Sequence, residues 1–225
     1  MPATLISTSD GSPSLFSSEF NASYHSIHGA WTETEKVFIQ AGLDYMAMGR
    51  DEVSIFEVGF GSGLNALATL IYAGNHKVRI NYTTIEKFPI SEAVCNLLAQ
   101  FWSEEYSSDL SMSFLDMHGA PHGKVICLNE RYFFKKLLSD LLEYSPNEIF
   151  QVIFFDAFAP ETQPEMWTLE VFSKMFDLLE EGGVLVTYCA KGEVKRTMRQ
   201  AGFTIETLTG PPGKREMTRG IKAML

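Results

Sequence analysis

The 225-residue sequence is poor in cysteine and contains no long hydrophobic run. Its three cysteines, Cys95, Cys127 and Cys189, lie far apart, and their spacing fits neither a disulfide framework nor a metal site. The five histidines show no ligand spacing either, so the sequence predicts no bound metal. No apolar segment approaches the ~20 residues that cross a bilayer, and residues 1–13 lack the regions of a secretory signal. These absences predict a cytoplasmic protein without a membrane partner.

A surplus of positive charge is also missing, because the formal net charge is −10. An acidic surface repels nucleic acid in general. The charge is unevenly distributed, however. Residues 187–225 contain eight basic and three acidic residues, so this tail carries +5 and the residues before it carry −15. The basic tail is therefore either a solvated surface or a binding face for an anionic partner.

The most informative stretch that is present is a glycine-rich turn between a predicted strand at 53–58 and a predicted helix at 63–73. Gly59, Gly61 and Gly63 are spaced Gly-x-Gly-x-Gly, and Leu64 stands where a dinucleotide-binding fingerprint needs its third glycine. Such a turn lets the backbone approach a ligand and directs helix N-terminal amides towards it. With the preceding Glu57, the spacing resembles the S-adenosyl-L-methionine (SAM) loop of Rossmann-like methyltransferases. A glycine-rich turn that binds no ligand is the alternative.

The rest of the chain alternates predicted strands and helices, which indicates a parallel sheet covered by helices. Further strands are expected at 79–86, 124–128, 151–156, 183–189, 203–208 and 218–224. Further helices are expected at 89–101, 131–143, 165–180 and 192–201, with an irregular surface insertion at 103–123. We predict an α/β fold of one domain, 1–225, with a seven-stranded, mostly parallel sheet and helices on both faces. Within it, residues 1–48 form an N-terminal cap, including an amphipathic stretch at 34–46, and residues 49–225 form the Rossmann-like core.

Two acidic residues stand at predicted strand ends, where open α/β sheets bind their ligands. Glu86 follows the glycine turn by about 25 residues, where a carboxylate can accept hydrogen bonds from both ribose hydroxyls of an adenosyl group. Asp156 leaves an almost wholly apolar strand, where an unpaired carboxylate is costly to bury. A carboxylate beside the ring of Phe158 suits methylation of an amine on a nucleobase. A helix-capping role for Asp156 and a core role for Phe158 are the alternatives.

Several runs, taken in order, resemble the methyltransferase half of the bifunctional tRNA 5-methylaminomethyl-2-thiouridine biosynthesis protein, here as a stand-alone enzyme. They are residues 59–65, 86–89, 156–160, 164–168, 201–203 and 213–217, and residues 29–38 resemble that family's entry segment. The resemblance implies a class I, SAM-dependent methyltransferase that converts the 5-aminomethyl group on the wobble uridine (position 34) of tRNA into 5-methylaminomethyl. It implies tRNA as a partner, and the enzyme that generates the aminomethyl precursor as a further candidate partner.

The resemblance also implies roles for individual residues. Asp156 and Phe158 are the expected catalytic residues. The expected cofactor contacts are Glu57, Gly59, Gly61, Gly63, Asn65, Glu86, Lys87, Glu130 and Asp156. Residues expected to bind the substrate are Glu33, Pro160, Trp167, Lys191, Lys214 and Arg215. For the last two the prediction comes from the sequence itself, because a loop stiffened by two prolines in the basic tail can present them as a phosphate clamp. The family often has an acidic residue after the third strand, where this chain offers Asn129 and Glu130.

Three other functions remain open at this point. A SAM-dependent enzyme with a different amine acceptor would have the same glycine turn but would not need the basic tail. An aminopropyl transferase also combines such a turn with an Asp after the fourth strand, but the run 156–160 lacks the second acidic cluster usual in those enzymes. A Rossmann-like module that binds RNA without catalysis is the third alternative, and SAM binding by the purified protein would exclude it.

Overall fold

The computed structural model describes residues 3–144 and 148–224. The chain begins with a small antiparallel sheet of three strands, β1 (Ala3–Ser7), β2 (Pro13–Ser17) and β3 (Ala22–Ser23). Within the described residues, a larger sheet contains eight strands: β4 (Glu52–Val58), β5 (Arg79–Glu86), β6 (Val125–Asn129), β7 (Tyr132–Leu138), β8 (Phe150–Phe155), β9 (Leu179–Thr187), β10 (Thr204–Thr209) and β11 (Glu216–Ile221). Their spatial order is β10-β11-β9-β8-β4-β5-β7-β6.

Five neighbouring strands of the larger sheet, β9, β8, β4, β5 and β7, run parallel to one another. Strand β8 is almost wholly apolar and buried, as expected when helices cover both faces of a sheet. In the register, the end of β4 at Val58 is opposite Ile85 of β5 and Phe155 of β8. The segments that follow these three strands therefore meet at one edge, and they carry the glycine turn, Glu86 and Asp156.

The helices lie between these strands in sequence. They are α1, a continuous helix made of Ala30–Thr34, a π-helical segment Glu35–Asp44 and Tyr45–Ala47, followed by α2 (Leu64–His76), α3 (Glu92–Glu105), α4 (Ser108–Gly119), α5 (Leu169–Leu178) and α6 (Gly192–Gln200). A short 3₁₀ turn, Pro164–Trp167, precedes α5. None of the helices that the structure describes is both long and apolar enough to cross a bilayer.

Helix α1 confirms the predicted amphipathic segment and lies directly on the sheet. The ring of Phe38 lies 5.3 Å from that of Phe154 on β8. Gly42 gives the closest approach, because a Cβ there would come within 2.9 Å of Val186 Cγ2. The antiparallel sheet β1–β3 before this helix was not expected from the sequence, and it brings residues 18–25 to the edge of the larger sheet.

The prediction of a helix at 131–143 is wrong, because this segment contains strand β7. Buried Tyr132, Phe134 and Lys136 alternate there with less buried Phe133 and Lys135, which is the two-residue period of a strand. The rings of Tyr132 and Phe134 each stack 5.9 Å from Tyr82 of β5. Strand β7 is parallel to β5, whereas β6 is antiparallel to β7. The third parallel strand is therefore β7, and the larger sheet has eight strands where seven were predicted.

The prediction of an irregular insertion at 103–123 is also wrong, because most of it forms α4. The hydroxyl of Ser107 caps this helix by accepting a hydrogen bond of 3.2 Å from the backbone N–H of Leu110. Phe114 and Met117 are fully buried, and with Leu110 they follow helical spacing. Many polar residues lie between these apolar positions, so the sequence pattern indicated an irregular loop although the segment forms a short amphipathic helix.

Candidate active site

A cavity of about 300 Å³ lies at the carboxyl ends of the parallel strands, and this size is within the range of small-molecule sites. Five segments form its wall. They are the glycine turn (Val58–Ser62), the end of β5 (Ile85–Phe88), the segment after β7 (Ser139–Leu142), the segment after β8 (Asp156–Phe158), and the N-terminal residues Glu19, Phe20, Tyr24 and His25. Gln163, Glu165 and Met166 complete it. The small N-terminal sheet thus closes a site that the larger sheet leaves open.

The glycine turn needs its glycines for backbone conformation and for space. Gly59, Gly61 and Gly63 all have positive φ, at 89°, 51° and 79°, which residues with side chains rarely adopt. A Cβ on Gly59 would also lie 2.8 Å from the backbone oxygen of Asp156. A side chain at position 59 would therefore push the glycine turn and the Asp156 segment apart.

Glu86 ties the glycine turn to the end of β5. One carboxylate oxygen accepts a hydrogen bond of 2.8 Å from the backbone N–H of Gly61, and the other accepts one of 2.7 Å from that of Phe88. A carboxylate has about four acceptor positions, so each oxygen can accept a further hydrogen bond. The side chain is held in place at the cavity wall and still has acceptor capacity for ligand hydroxyls.

Asp156 lies at the floor of the cavity and is fixed on one side. Its backbone N–H donates to Val58 O at 3.0 Å, and its Oδ2 accepts a hydrogen bond of 2.8 Å from Asn65 Nδ2. Burial, and to a smaller extent the negative charge of Glu33, raise the pKa of Asp156 to about 7, while the Asn65 hydrogen bond and Lys214 oppose this shift. The ionised form is therefore costly without a cation beside it, which favours a positively charged ligand.

Three aromatic rings gather beside Asp156. The ring of Phe158 lies 4.7 Å from that of Phe20 and 5.2 Å from that of Tyr24. The backbone around Phe158 is held by two aromatic side chains, since Trp167 Nε1 donates to Phe158 O at 2.8 Å and the Tyr188 hydroxyl donates to Ala157 O at 2.9 Å. Trp167 and Pro160, both predicted to contact substrate, do not line the cavity. The structure places Trp167 as a buried support for the Phe158 segment.

The cavity wall is strongly acidic. Its carboxylates are Glu19, Glu86, Asp140, Asp156 and Glu165, and its lysine is Lys87. Lys87 is already paired with Asp140 at 2.7 Å. Burial lowers the pKa of His25, which also lines the wall, to about 4, so this histidine is neutral at pH 7. Such a wall attracts cationic ligands and repels phosphate groups.

The structure replaces Glu130 with Asp140 as the acidic residue that follows the third strand. Glu130 is exposed in the turn between β6 and β7. This turn lies at the amino-terminal ends of the parallel strands, and the cavity lies at their carboxyl ends. Asp140 follows β7, and Lys87 lowers the pKa of its carboxyl group. Its Oδ1 accepts a hydrogen bond of 2.9 Å from the backbone N–H of Leu142. The aromatic run Tyr132–Phe134 was the signal for this strand in the sequence.

Three predicted cofactor contacts in and around the glycine turn, Glu57, Gly63 and Asn65, do not line the cavity. Asn65 is 2% exposed, and its side-chain amide donates a hydrogen bond to Asp156 from the side that faces away from the cavity. Glu57 is 0% exposed, and burial raises its pKa to about 8. Neither oxygen of Glu57 has a partner at hydrogen-bonding geometry among the described residues, although Thr84, Asn65 and Tyr82 are near enough to oppose the shift.

The two residues of the predicted phosphate clamp, Lys214 and Arg215, lie in different surroundings. Lys214 Nζ forms an ion pair with the buried carboxylate of Glu33 and lies 3.8 Å from the centre of the Tyr188 ring. The backbone N–H of Ser26 also donates to Glu33 at 2.8 Å. The charge of Lys214 is therefore neutralised inside the protein, whereas the side chain of Arg215 is 92% exposed and lies 3.7 Å from the carboxylate of Glu216.

Other basic residues of the tail are engaged in the same way. Lys195 pairs with Glu216, Arg219 pairs with Glu206, and the Lys222 ammonium donates to two backbone oxygens. Lys191, predicted to bind substrate, differs from these residues, because it forms an ion pair with Glu161 at the protein surface. The remaining exposed cations of the tail are Arg196, Arg199 and Arg215. The basic face is thus smaller than the sequence indicated.

Among the described residues, no group of three or more metal-binding side chains occurs.

This chain has relatives among known proteins. The model of a family described as S-adenosyl-L-methionine-dependent methyltransferase matches residues 124–223. The chain is 30% identical to the tRNA 5-methylaminomethyl-2-thiouridine biosynthesis bifunctional protein MnmC of Pseudoalteromonas atlantica, over 95% of this chain and 32% of that protein. It is 31% identical to MnmC of Aromatoleum aromaticum, over 97% of this chain and 35% of that protein. The chain spans about a third of the length of these relatives, and the predicted resemblance is confirmed.

Two solved structures have a fold similar to that of this chain. MNMC2 from Aquifex aeolicus matches with a TM-score of 0.80 and 24% identity, covering 99% of this chain and 71% of that chain. Spermidine synthase from Thermotoga maritima matches with a TM-score of 0.59 and 14% identity, covering 99% of this chain and 69% of that chain. The predicted Rossmann-like class I methyltransferase fold is confirmed, and the family match agrees with the predicted enzyme class and cofactor.

Proposed function

Since the chain is related over almost its whole length to the bifunctional MnmC proteins, we propose that it is a SAM-dependent methyltransferase that acts on tRNA. Its acceptor is the 5-aminomethyl group of the wobble uridine, which becomes 5-methylaminomethyl. The observation that carries the proposal is Asp156, a carboxylate fixed by Asn65 on the floor of an acidic cavity, with the rings of Phe158, Phe20 and Tyr24 beside it.

The residues around the cavity fit SAM, which supplies a methyl group activated by a cationic sulfonium. The three glycines form a turn without side chains directly before α2, so the methionine part can approach the backbone closely, although the N–H groups of these glycines already donate to Ile85, Glu86 and Phe60. Glu86 has acceptor capacity for the ribose hydroxyls. Asp140, at the end of the next parallel strand, is placed to accept from the adenine amino group. The acidic wall complements the positive charge of the ligand.

Methyl transfer requires a neutral amine in line with the donor carbon. If the amine resembles lysine, with a pKa of about 10.4, about one molecule in 10³ is neutral at pH 7, which costs ~4 kcal/mol. Its lone pair forms the N–C bond while the C–S bond breaks, so the nitrogen becomes a secondary ammonium. Asp156 stabilises the positive charge that develops there. Holding the two reacting atoms together supplies a further large part of the rate.

The aromatic group beside Asp156 suits the uracil ring. Phe158, Phe20 and Tyr24 form an apolar mouth to an otherwise acidic cavity, so a base can enter where a phosphate is repelled. The backbone of the tRNA then remains outside, near the exposed Arg215 and the exposed arginines of α6, which follows the carboxyl end of β9. A base reached in this way has to be turned out of its stack.

The direct test is nucleoside mass spectrometry of tRNA that carries 5-aminomethyl uridine, incubated with the purified protein and SAM. The proposal predicts that this nucleoside gains one methyl group, while spermidine in the same mixture is not methylated. Methylation of spermidine but not of the tRNA would show that the acceptor is a small-molecule amine. No methylation by protein that binds SAM would overturn the proposal.

A further inference from the structure

A chain of three buried side chains leads from helix α1 to Asp156. Thr34 is 0% exposed and Asn65 is 2% exposed. The hydroxyl of Thr34 donates to Asn65 Oδ1 at 2.9 Å, and Asn65 Nδ2 donates to Asp156 Oδ2 at 2.8 Å. Thr34 belongs to the run 29–38, which the resemblance singled out, and among the expected site residues of that run only its neighbour Glu33 was named.

The amide of Asn65 can make both contacts in one orientation only. Its oxygen accepts and its nitrogen donates, so the carboxylate of Asp156, which only accepts when ionised, draws the nitrogen towards itself, and the hydroxyl of Thr34 donates to the oxygen that then faces helix α1. If the amide turned over, its oxygen would face a carboxylate oxygen, and two acceptors repel each other. Leaving a buried polar group without its partner is also costly. The hydroxyl of Thr34 therefore holds the amide of Asn65 in the orientation that donates to Asp156 Oδ2, by satisfying the amide oxygen.

We propose that Thr34 is a positioning residue for methyl transfer. Through Asn65 it holds the carboxylate of Asp156 in one orientation, with Oδ2 occupied from behind and Oδ1 left for the acceptor amine. This proposal rests on the proposed function for the role of Asp156. The neighbouring Glu33 is engaged separately by Lys214 and the backbone of Ser26, so a change at Thr34 leaves that ion pair intact.

The structure supplies a matched control in Thr69. This residue is also 0% exposed, and its hydroxyl donates at 2.7 Å to the backbone oxygen of the same Asn65. Thr34→Val and Thr69→Val each replace a buried hydroxyl by a methyl group of similar size. Only Thr34→Val takes a partner from the side-chain amide. A general loss of stability should appear in both variants, and loss of positioning in Thr34→Val alone.

Two measurements test the proposal. In single-turnover assays with saturating SAM, Thr34→Val should transfer the methyl group about tenfold or more slowly, with SAM affinity within about twofold of wild type, and Thr69→Val should keep the wild-type rate. In ¹³C NMR titration of the protein without substrate, the pKa of Asp156 should rise in Thr34→Val, because the hydrogen bond from Asn65 lowers it. It should not change in Thr69→Val. The Asp156 signal is assigned by its absence in Asp156→Asn.

If Thr34→Val does not fold, Thr34→Ser and Thr34→Ala give the same comparison, since only serine keeps the hydroxyl. Thr34→Ser should then retain the Asp156 titration and the rate, and Thr34→Ala should lose both. Equal effects in the variants with and without the hydroxyl, or an unchanged Asp156 titration in Thr34→Val, would overturn the proposal. The titration needs no tRNA, so it tests the positioning even if the acceptor proves to be a different amine.

Discussion

Asp156 and Glu57 lie on neighbouring strands or directly after them, and burial raises the pKa of both carboxyl groups, to about 7 and about 8. Their surroundings differ. Asp156 lines the cavity and receives a hydrogen bond from Asn65, whereas Glu57 is fully buried without a partner at hydrogen-bonding geometry in the described part of the chain. Asp156 can therefore act on a ligand directly, while Glu57 acts through the stability of the folded protein.

Glu57 should make the protein less stable as the pH rises. An ordinary glutamate has a pKa near 4.5, whereas Glu57 has one of about 8 when folded. Between these values the folded protein holds a proton that the unfolded chain has lost, so its free energy of unfolding falls by up to ~1.4 kcal/mol per pH unit. Urea unfolding between pH 5 and 8 should show a shallower decline for Glu57→Gln than for the wild type.

The same substitution at the exposed Glu130 is the control, and Glu130→Gln should leave the wild-type pH dependence unchanged. Asp156 contributes a smaller decline of the same sign, up to a pH of about 7, so some slope should remain in Glu57→Gln. Identical slopes in the wild type and Glu57→Gln would show that Glu57 is already ionised in the folded protein.

Lys214 shows a limit of prediction at the residue scale. The sequence places it in a basic tail on a proline-containing loop, which suggested a phosphate contact. In the structure its partner is Glu33, 181 positions earlier in the chain. A pairing over that distance depends on how the N-terminal segment and the β10–β11 loop come together, and no local pattern reveals it.

At the scale of the elements, prediction succeeded where buried apolar runs are bounded by turn residues. Strand β5 has the predicted bounds, and β4 begins one residue before them. Both are largely buried and end at a segment that lines the cavity. Strand β7 was missed because its lysines, Lys135 and Lys136, interrupt the apolar pattern. Lys136 is nevertheless 4% exposed, and its ammonium donates to the backbone oxygen of His118.

The position of β7 decides which acidic residue lines the cavity, where we propose that the cofactor binds. Asp140 lines the cavity at the carboxyl end of β7, while Glu130 lies before the opposite end of that strand. Asp140→Ala should weaken SAM binding measured by calorimetry, and Glu86→Ala should weaken it at least tenfold, about 1.4 kcal/mol. Glu130→Ala should bind SAM as the wild type does. Loss of affinity in Glu130→Ala with none in Asp140→Ala would contradict the placement of the cofactor.

At the scale of the whole molecule, the charge distribution separates the site from the surface that would hold RNA. The cavity wall is acidic, and half of the tail's cations are engaged internally in the described residues. An acidic protein with few free cations should bind tRNA weakly and depend on the target base itself. The N-terminal part of the chain also contributes to the site. Phe20 and Tyr24 line the cavity, and Glu33 and Thr34 of α1 act on Asp156 from outside it.

Arg215 and Lys214 should therefore behave differently when replaced. Arg215→Gln should raise the KM for tRNA and flatten the fall of log affinity with log salt, because fewer counterions are released. Lys214→Gln should lower the melting temperature, because it leaves Glu33 buried without its cation. Lys77→Gln, an exposed cation at the opposite edge, is the control for tRNA binding. Equal tRNA kinetics in Arg215→Gln and Lys77→Gln across salt concentrations would exclude Arg215 from the RNA surface.

The most direct test of the central claim is the single-turnover rate of methyl transfer to tRNA that carries 5-aminomethyl uridine, compared between wild type and Asp156→Asn. The substitution keeps the shape and a hydrogen-bonding group but removes the charge. The wild type should methylate the wobble nucleoside, and Asp156→Asn should bind SAM normally but react about 10²-fold more slowly. A near-wild-type rate in Asp156→Asn, or no methylation by the wild type, would contradict the account.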